Sequence, residues 1–382
     1  MIELRPKTPA EQNQPQKTTM KSGTTILSVT LVMLCSMMPE RLAGHPGHEP
    51  DSGDAAHVHP SIMTSDWGRF LFRHAAAYKL PEDPELAGHL IKNHGGSVTD
   101  KKTGALYTTI GAKVIRFVPG EPLGKIMEDE EKFGTGNFHG LTLVEGGEKP
   151  SFYFADNERH LIRRHSYANG SSEDLRPKRD FHPYFEKGGS FNPTDVEIHP
   201  ETGNPWVFDG YGSNLVFDAL ATDSSFGGKE IFRTSHGGSF YGGNWVVCSR
   251  GSGEICTVNQ HGEVSERFSL PQGSLPCDID FLGDYALIGC LRGPGAKTSN
   301  YPGAPCYIYH WPSKKRLATV VPKSDFAFEK GTHIHQAMWW PHMEDGKVTK
   351  LFIAFSFWNP GDFKLVEVNG LPLDWLPKVA QD

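Results

Sequence analysis

Three histidines stand out by type and spacing. His139, His236 and His335 lie 97 and 99 residues apart, each just ahead of an apolar, strand-like run. The stretches are Phe138-His139-Gly140, Ser235-His236-Gly237 and Ile334-His335-Gln336. Between them, at the same point of a shorter repeat, fall Pro193-Thr194-Asp195 and Pro276-Cys277-Asp278, and an earlier copy, Asn93-His94-Gly95, opens the series. Three neutral imidazoles brought to one point suit Zn²⁺, which takes His nitrogens at about 2.0–2.1 Å and keeps a fourth position open when catalytic. Such an ion lowers the pKa of a bound water or polarises a substrate oxygen. A lone histidine at such a position only hydrogen-bonds backbone; three at equivalent positions point to a metal.

A repeat of about 40 to 57 residues must position these groups, the period of propellers and related arrays. Its units open at His94, His139, Pro193, His236, Pro276 and His335. Most run through an alternating strand, a turn, an apolar strand, a Gly- or Asp-bearing turn and a final strand. Six units predict an all-β, six-bladed propeller, with His139, His236 and His335 on alternate blades facing one axis. His94, Asp195, Asp278 and Gln336 fall at matching positions and are expected to line the same channel. The sixth unit is a strand short after Val368, and residues 85–92 are the expected donor. Loops at 171–189, 292–304 and 323–331 are expected at the propeller faces.

Composition agrees with short strands and tight turns: 42 Gly, 28 Pro and 11% aromatic residues in 382. The net charge of -7, without a basic cluster, argues against nucleic acid as a partner. Residues 26–38 form a mostly apolar run behind Lys17 and Lys21, too short for a stable membrane span but suited to a signal peptide. The expected organisation is a targeting segment at 1–44, a linker and short helical extension at 45–90 (with 67–78 helical), the propeller at 91–372 and a tail at 373–382. An exported, periplasmic or extracellular, protein follows. Five cysteines remain beyond the leader; Cys248 and Cys256 flank a turn and are candidates to face each other across a hairpin.

The stretch 192–214, NPTDVEIHPETGNPWVFDGYGSN, closely resembles one blade of the peptidyl-α-hydroxyglycine α-amidating lyase family, whose members are NHL-type six-bladed propellers. Phe138-His139-Gly140-Leu141 resembles the family's blade start, as does Ser235-His236 followed by Ser249-Arg250. His335 falls where that family has its third zinc histidine. The resemblance implies a zinc-dependent lyase that cleaves peptidyl-α-hydroxyglycine to the peptide amide and glyoxylate. It implies His139, His236 and His335 as ligands, Tyr211 of Asp209-Gly210-Tyr211 as general base, and Arg250 as a clamp for the substrate carboxylate. It also implies a structural calcium and a separate monooxygenase that supplies the substrate. Departures are specific. Gln336 stands where the family has Asp, Gly212 where it has a Cys, and residues 95–107 offer only Lys101 and Lys102 for its first-blade arginine. The alternatives are a non-catalytic propeller that binds peptide or glycan, and another metal-dependent hydrolase or lactonase of propeller fold.

Overall fold

The computed structural model describes residues 58–60, 70–127, 136–177, 183–186 and 188–370. The expected signal segment, its cleavage point and the C-terminal tail lie outside the described residues.

Six antiparallel sheets form a six-bladed β-propeller. Their first strands are Ser97–Thr99, Phe138–Glu145, Asp195–Ile198, Ser235–Tyr241, Leu275–Leu282 and Ile334–Glu344. Each touches the next in order, and the sixth touches the first, so the ring closes. In each of the first five sheets the next three strands follow in sequence order.

Blades stack face to face, so a middle strand must be apolar on both sides. In Asn244–Ser249, Trp245 and Val247 enter the core shared with Phe208 and Val216, while Val246 and Cys248 enter the core shared with Ile279 and Ile288. That is why these strands read as continuous apolar runs rather than alternating ones. The outermost strands lose one packing partner and turn polar, as in Ser171–Leu175. That strand occupies the start of the expected 171–189 loop, pairing with Leu161–Ser166. Part of the 323–331 loop is likewise ordered, as the short helix Pro322–Phe326.

The sixth blade corrects the N-terminal reading. Its fourth strand is Leu71–His74, paired with Asp362–Asn369, and Val58–Pro60 adds a fifth. Residues 71–74 are therefore not helical: Phe70 and Phe72, both buried, follow a period of two into the core with Leu351 and Val366. Residues 58–60 belong to this sheet rather than to a linker, and blade six begins well before residue 91. The expected donor contains instead the helix Pro84–Leu90, capped by Asp83, which accepts from Leu86 N at 2.7 Å.

Cys248 and Cys256 do not face each other. Cys248 pairs with Ile255 and Cys256 with Val247, a one-residue offset that sends the two side chains to opposite faces. All five described cysteines are free and buried.

Candidate metal centre

Each histidine sits at or next to the start of an inner strand, where the chain turns in toward the axis. His139, His236 and His335 are all buried, and one nitrogen of each lies within 4.8 Å of one from each of the others. His139 Nδ1 is 2.5 Å from the carbonyl oxygen of Thr194, and His236 Nδ1 is 2.9 Å from that of Cys277. A carbonyl only accepts, so both Nδ1 atoms carry the proton and both Nε2 atoms turn a lone pair to the axis. His335 Nδ1 differs: it is buried without a hydrogen-bond partner among the described residues, so no carbonyl fixes its tautomer. Burial holds all three rings well below the ordinary histidine range, hence neutral.

His335 Nε2 then lies 3.1 Å from His139 Nε2. In the metal-free ring His335 Nε2–H can donate to the His139 Nε2 lone pair, and a bound cation would take that proton's place. Two nitrogens bound tetrahedrally to one ion at 2.0–2.1 Å would be about 3.3 Å apart. The donor set therefore fits zinc.

Tyr211 and Arg250 reach the same point from the turns between second and third strands of blades three and four. The Tyr211 hydroxyl is 3.2 Å from His236 Nε2 and 3.4 Å from His139 Nε2. Arg250 Nη1 donates to that hydroxyl at 3.1 Å, and its guanidinium lies 5.1 Å from the phenol centroid. Burial raises the Tyr211 pKa, and Arg250 opposes the rise. Tyr211 is 38% exposed, so it opens to solvent while its oxygen meets the histidines.

Asp209 shapes the Tyr211 turn. Its carboxylate accepts from Asn192 N at 2.6 Å and from Ser213 N at 2.6 Å and Oγ at 2.5 Å. Burial lifts its pKa to about 6, against the pull of those donors. The residue types did not single out Asp209, although an Asp at the head of a Gly-Tyr-Gly-Ser turn is the signal for such a cap. Thr194 and Cys277 were missed for another reason: they orient the histidines through backbone carbonyls, which have no residue-type signature.

Below the histidines lies a carboxylate layer. Asp195 and Asp278 are buried, and together with Gln336 and the three histidines they line an axial cavity of about 10 Å³, close to the room one water needs. Burial raises both carboxyls, and for Asp195 the charge of Asp278 adds to it. Gly140 and Gly237, each next to a ring histidine, make space for this layer. A Cβ on Gly140 would stand 2.6 Å from Asp195 Oδ1, and one on Gly237 3.0 Å from Asp278 Oδ1. Gln336 holds the equivalent position in blade six and fills it: its amide donates to Asp278 Oδ2 at 2.8 Å and to Ser97 O at 3.3 Å, and its carbonyl accepts from Ser97 N.

His94 reaches the site but not the ring. Its Nδ1 is 3.1 Å from the Asn137 amide nitrogen, and it stacks between His139 and Trp358 at centroid distances of 5.3 and 5.1 Å. Burial, then Arg250, lowers its pKa to about 4. Trp358 was not foreseen either; it follows blade six's second strand rather than opening a blade.

No family model and no curated protein matches the chain. Among solved structures it is similar to a virginiamycin B lyase from Staphylococcus aureus crystallised with quinupristin, at 14% identity and a TM-score of 0.44, covering 83% of this chain and 96% of that one. A luciferin-regenerating enzyme is similar at 13% identity and a TM-score of 0.49, covering 75% and 94%. The WD40 domain of Neurospora crassa Pan2 is similar at 10% and 0.43, covering 76% and 92%. These likenesses carry nothing about chemistry.

Proposed function

We propose that this propeller is a zinc-dependent carbon–nitrogen lyase that cleaves a peptidyl-α-hydroxyglycine to the peptide amide and glyoxylate. The observation that carries the metal is the convergence of one ligand nitrogen each from His139, His236 and His335, all buried and neutral. What supports the lyase is the Tyr211 hydroxyl beside that ring with Arg250 donating to it. The sequence resemblance implies the same roles.

When bound, zinc would supply a Lewis acid that draws charge from a substrate oxygen. The rest falls to side chains. Arg250 stabilises negative charge on Tyr211 Oη and offers its remaining N–H groups to the substrate carboxylate. Tyr211 takes the α-hydroxyl proton. The O–H electrons become the carbonyl of glyoxylate, the C–N bond breaks toward nitrogen, and Tyr211 returns the proton to the leaving amide. His94 and Trp358 wall the mouth of the site. The Asp195 layer does not fit the calcium expected from the resemblance, which takes about six to eight oxygens, because Gln336 is spent on Ser97 and Asp278 and the cavity holds about 10 Å³. Export and a separate monooxygenase remain part of the proposal.

A second reading, another metal-dependent propeller hydrolase or lactonase, is favoured by Gln336, which ties blades together where the family has Asp. The test is glyoxylate release from a synthetic α-hydroxyglycyl peptide by zinc-loaded protein. Release supports the lyase; a zinc-loaded protein that releases none but hydrolyses lactones or esters supports the second reading.

A further inference from the structure

The antiparallel order of the blades puts the turns between second and third strands on the Tyr211 side. The turns between first and second, and third and fourth, strands lie on the opposite face. There, between blades three and four, opens a cavity of about 360 Å³, within the size range of small-ligand sites. Trp206, Phe226, Phe240 and Trp245 line it. Trp206 lies 5.4 Å from Trp245 and 5.7 Å from Phe226, centroid to centroid. Glu201 and Asp223 lie exposed at its rim, and no Lys or Arg lines it.

Two of its other polar groups are engaged by their own turns. Asn259 accepts from the backbone of His261 and Glu263 and donates to Glu263. His199 Nδ1 accepts from Glu201 N at 3.3 Å. The groove thus sets two exposed carboxylates and no basic group beside an aromatic lining, the complement of an organic cation.

We infer that this groove binds an organic cation, a quaternary ammonium or a guanidinium, at a site separate from the histidine ring. The probes are choline, arginine methyl ester and 3,3-dimethyl-1-butanol, the uncharged isostere of choline, titrated by tryptophan fluorescence and calorimetry. Saturable millimolar or tighter binding of at least one cation is expected, with no binding of the isostere. Trp206→Ala, or Glu201→Gln with Asp223→Asn, should weaken it about tenfold or more, and His139→Ala should leave it unchanged. Trp206→Phe keeps an aromatic wall if the alanine variant fails to fold, and should weaken binding less. Equal binding of the isostere, indifference to the double carboxylate variant, or no binding of either cation would overturn the inference. None of these outcomes bears on the lyase reading.

Discussion

At the scale of single residues, the centre divides into groups that were readable as types and groups that were not. His139, His236 and His335 were legible because their spacing repeats with the blades, and Tyr211 through its Asp-Gly-Tyr turn. The carbonyls of Thr194 and Cys277, which set the tautomers, were not, because any residue supplies a carbonyl. Tyr211→Phe should lower glyoxylate release by about 10²–10⁴-fold while leaving zinc content unchanged, measured by kcat alongside metal analysis. Arg250→Lys keeps the charge but loses the planar fork. It should raise KM for substrates with a free carboxylate more than for their methyl esters.

Between residue and fold stand the turns and inner strands that aim these groups. Asp209 fixes the turn of Tyr211 through three accepted hydrogen bonds. Asp209→Ala leaves those donors buried and should cost about 1–3 kcal/mol, read by denaturant unfolding, and reduce turnover with the histidines intact. Gly140→Ala should destabilise through the contact with Asp195 Oδ1, and Asp195→Ala in the same chain should recover part of the loss, a coupling that a double-mutant cycle reads. The strand Leu71–His74 is the element sequence pattern misassigned. Apolar residues at 67, 70, 71, 75 and 78 satisfy a helical stripe while Phe70 and Phe72 satisfy a strand, and only pairing with Asp362–Asn369 decides between them.

For the whole molecule, the period of the sequence was enough to give the number of blades and the three-fold placement of the histidines. That a segment ahead of blade one closes blade six was legible from the missing strand; which segment was not, because Leu71–His74 reads equally well as a helix. Removing residues 1–76 should therefore lower the thermal midpoint far more than removing residues 1–44. The buried neutral histidines also set a pH dependence for the metal-free protein. Their folded pKa values lie below the unfolded 6.5, so the unfolded chain binds more protons and stability falls as pH drops below about 6.5. His335→Gln should flatten that slope in equilibrium unfolding at pH 5 to 7. The central claim, that three blades hold one zinc between them, is tested most directly by metal analysis of the purified protein and of His236→Ala. The account predicts about one zinc per chain in the first and a near-complete loss in the second, with cooperative melting kept in both. A protein that purifies without zinc and takes up none when it is supplied, or a His236→Ala variant with undiminished zinc, would contradict it.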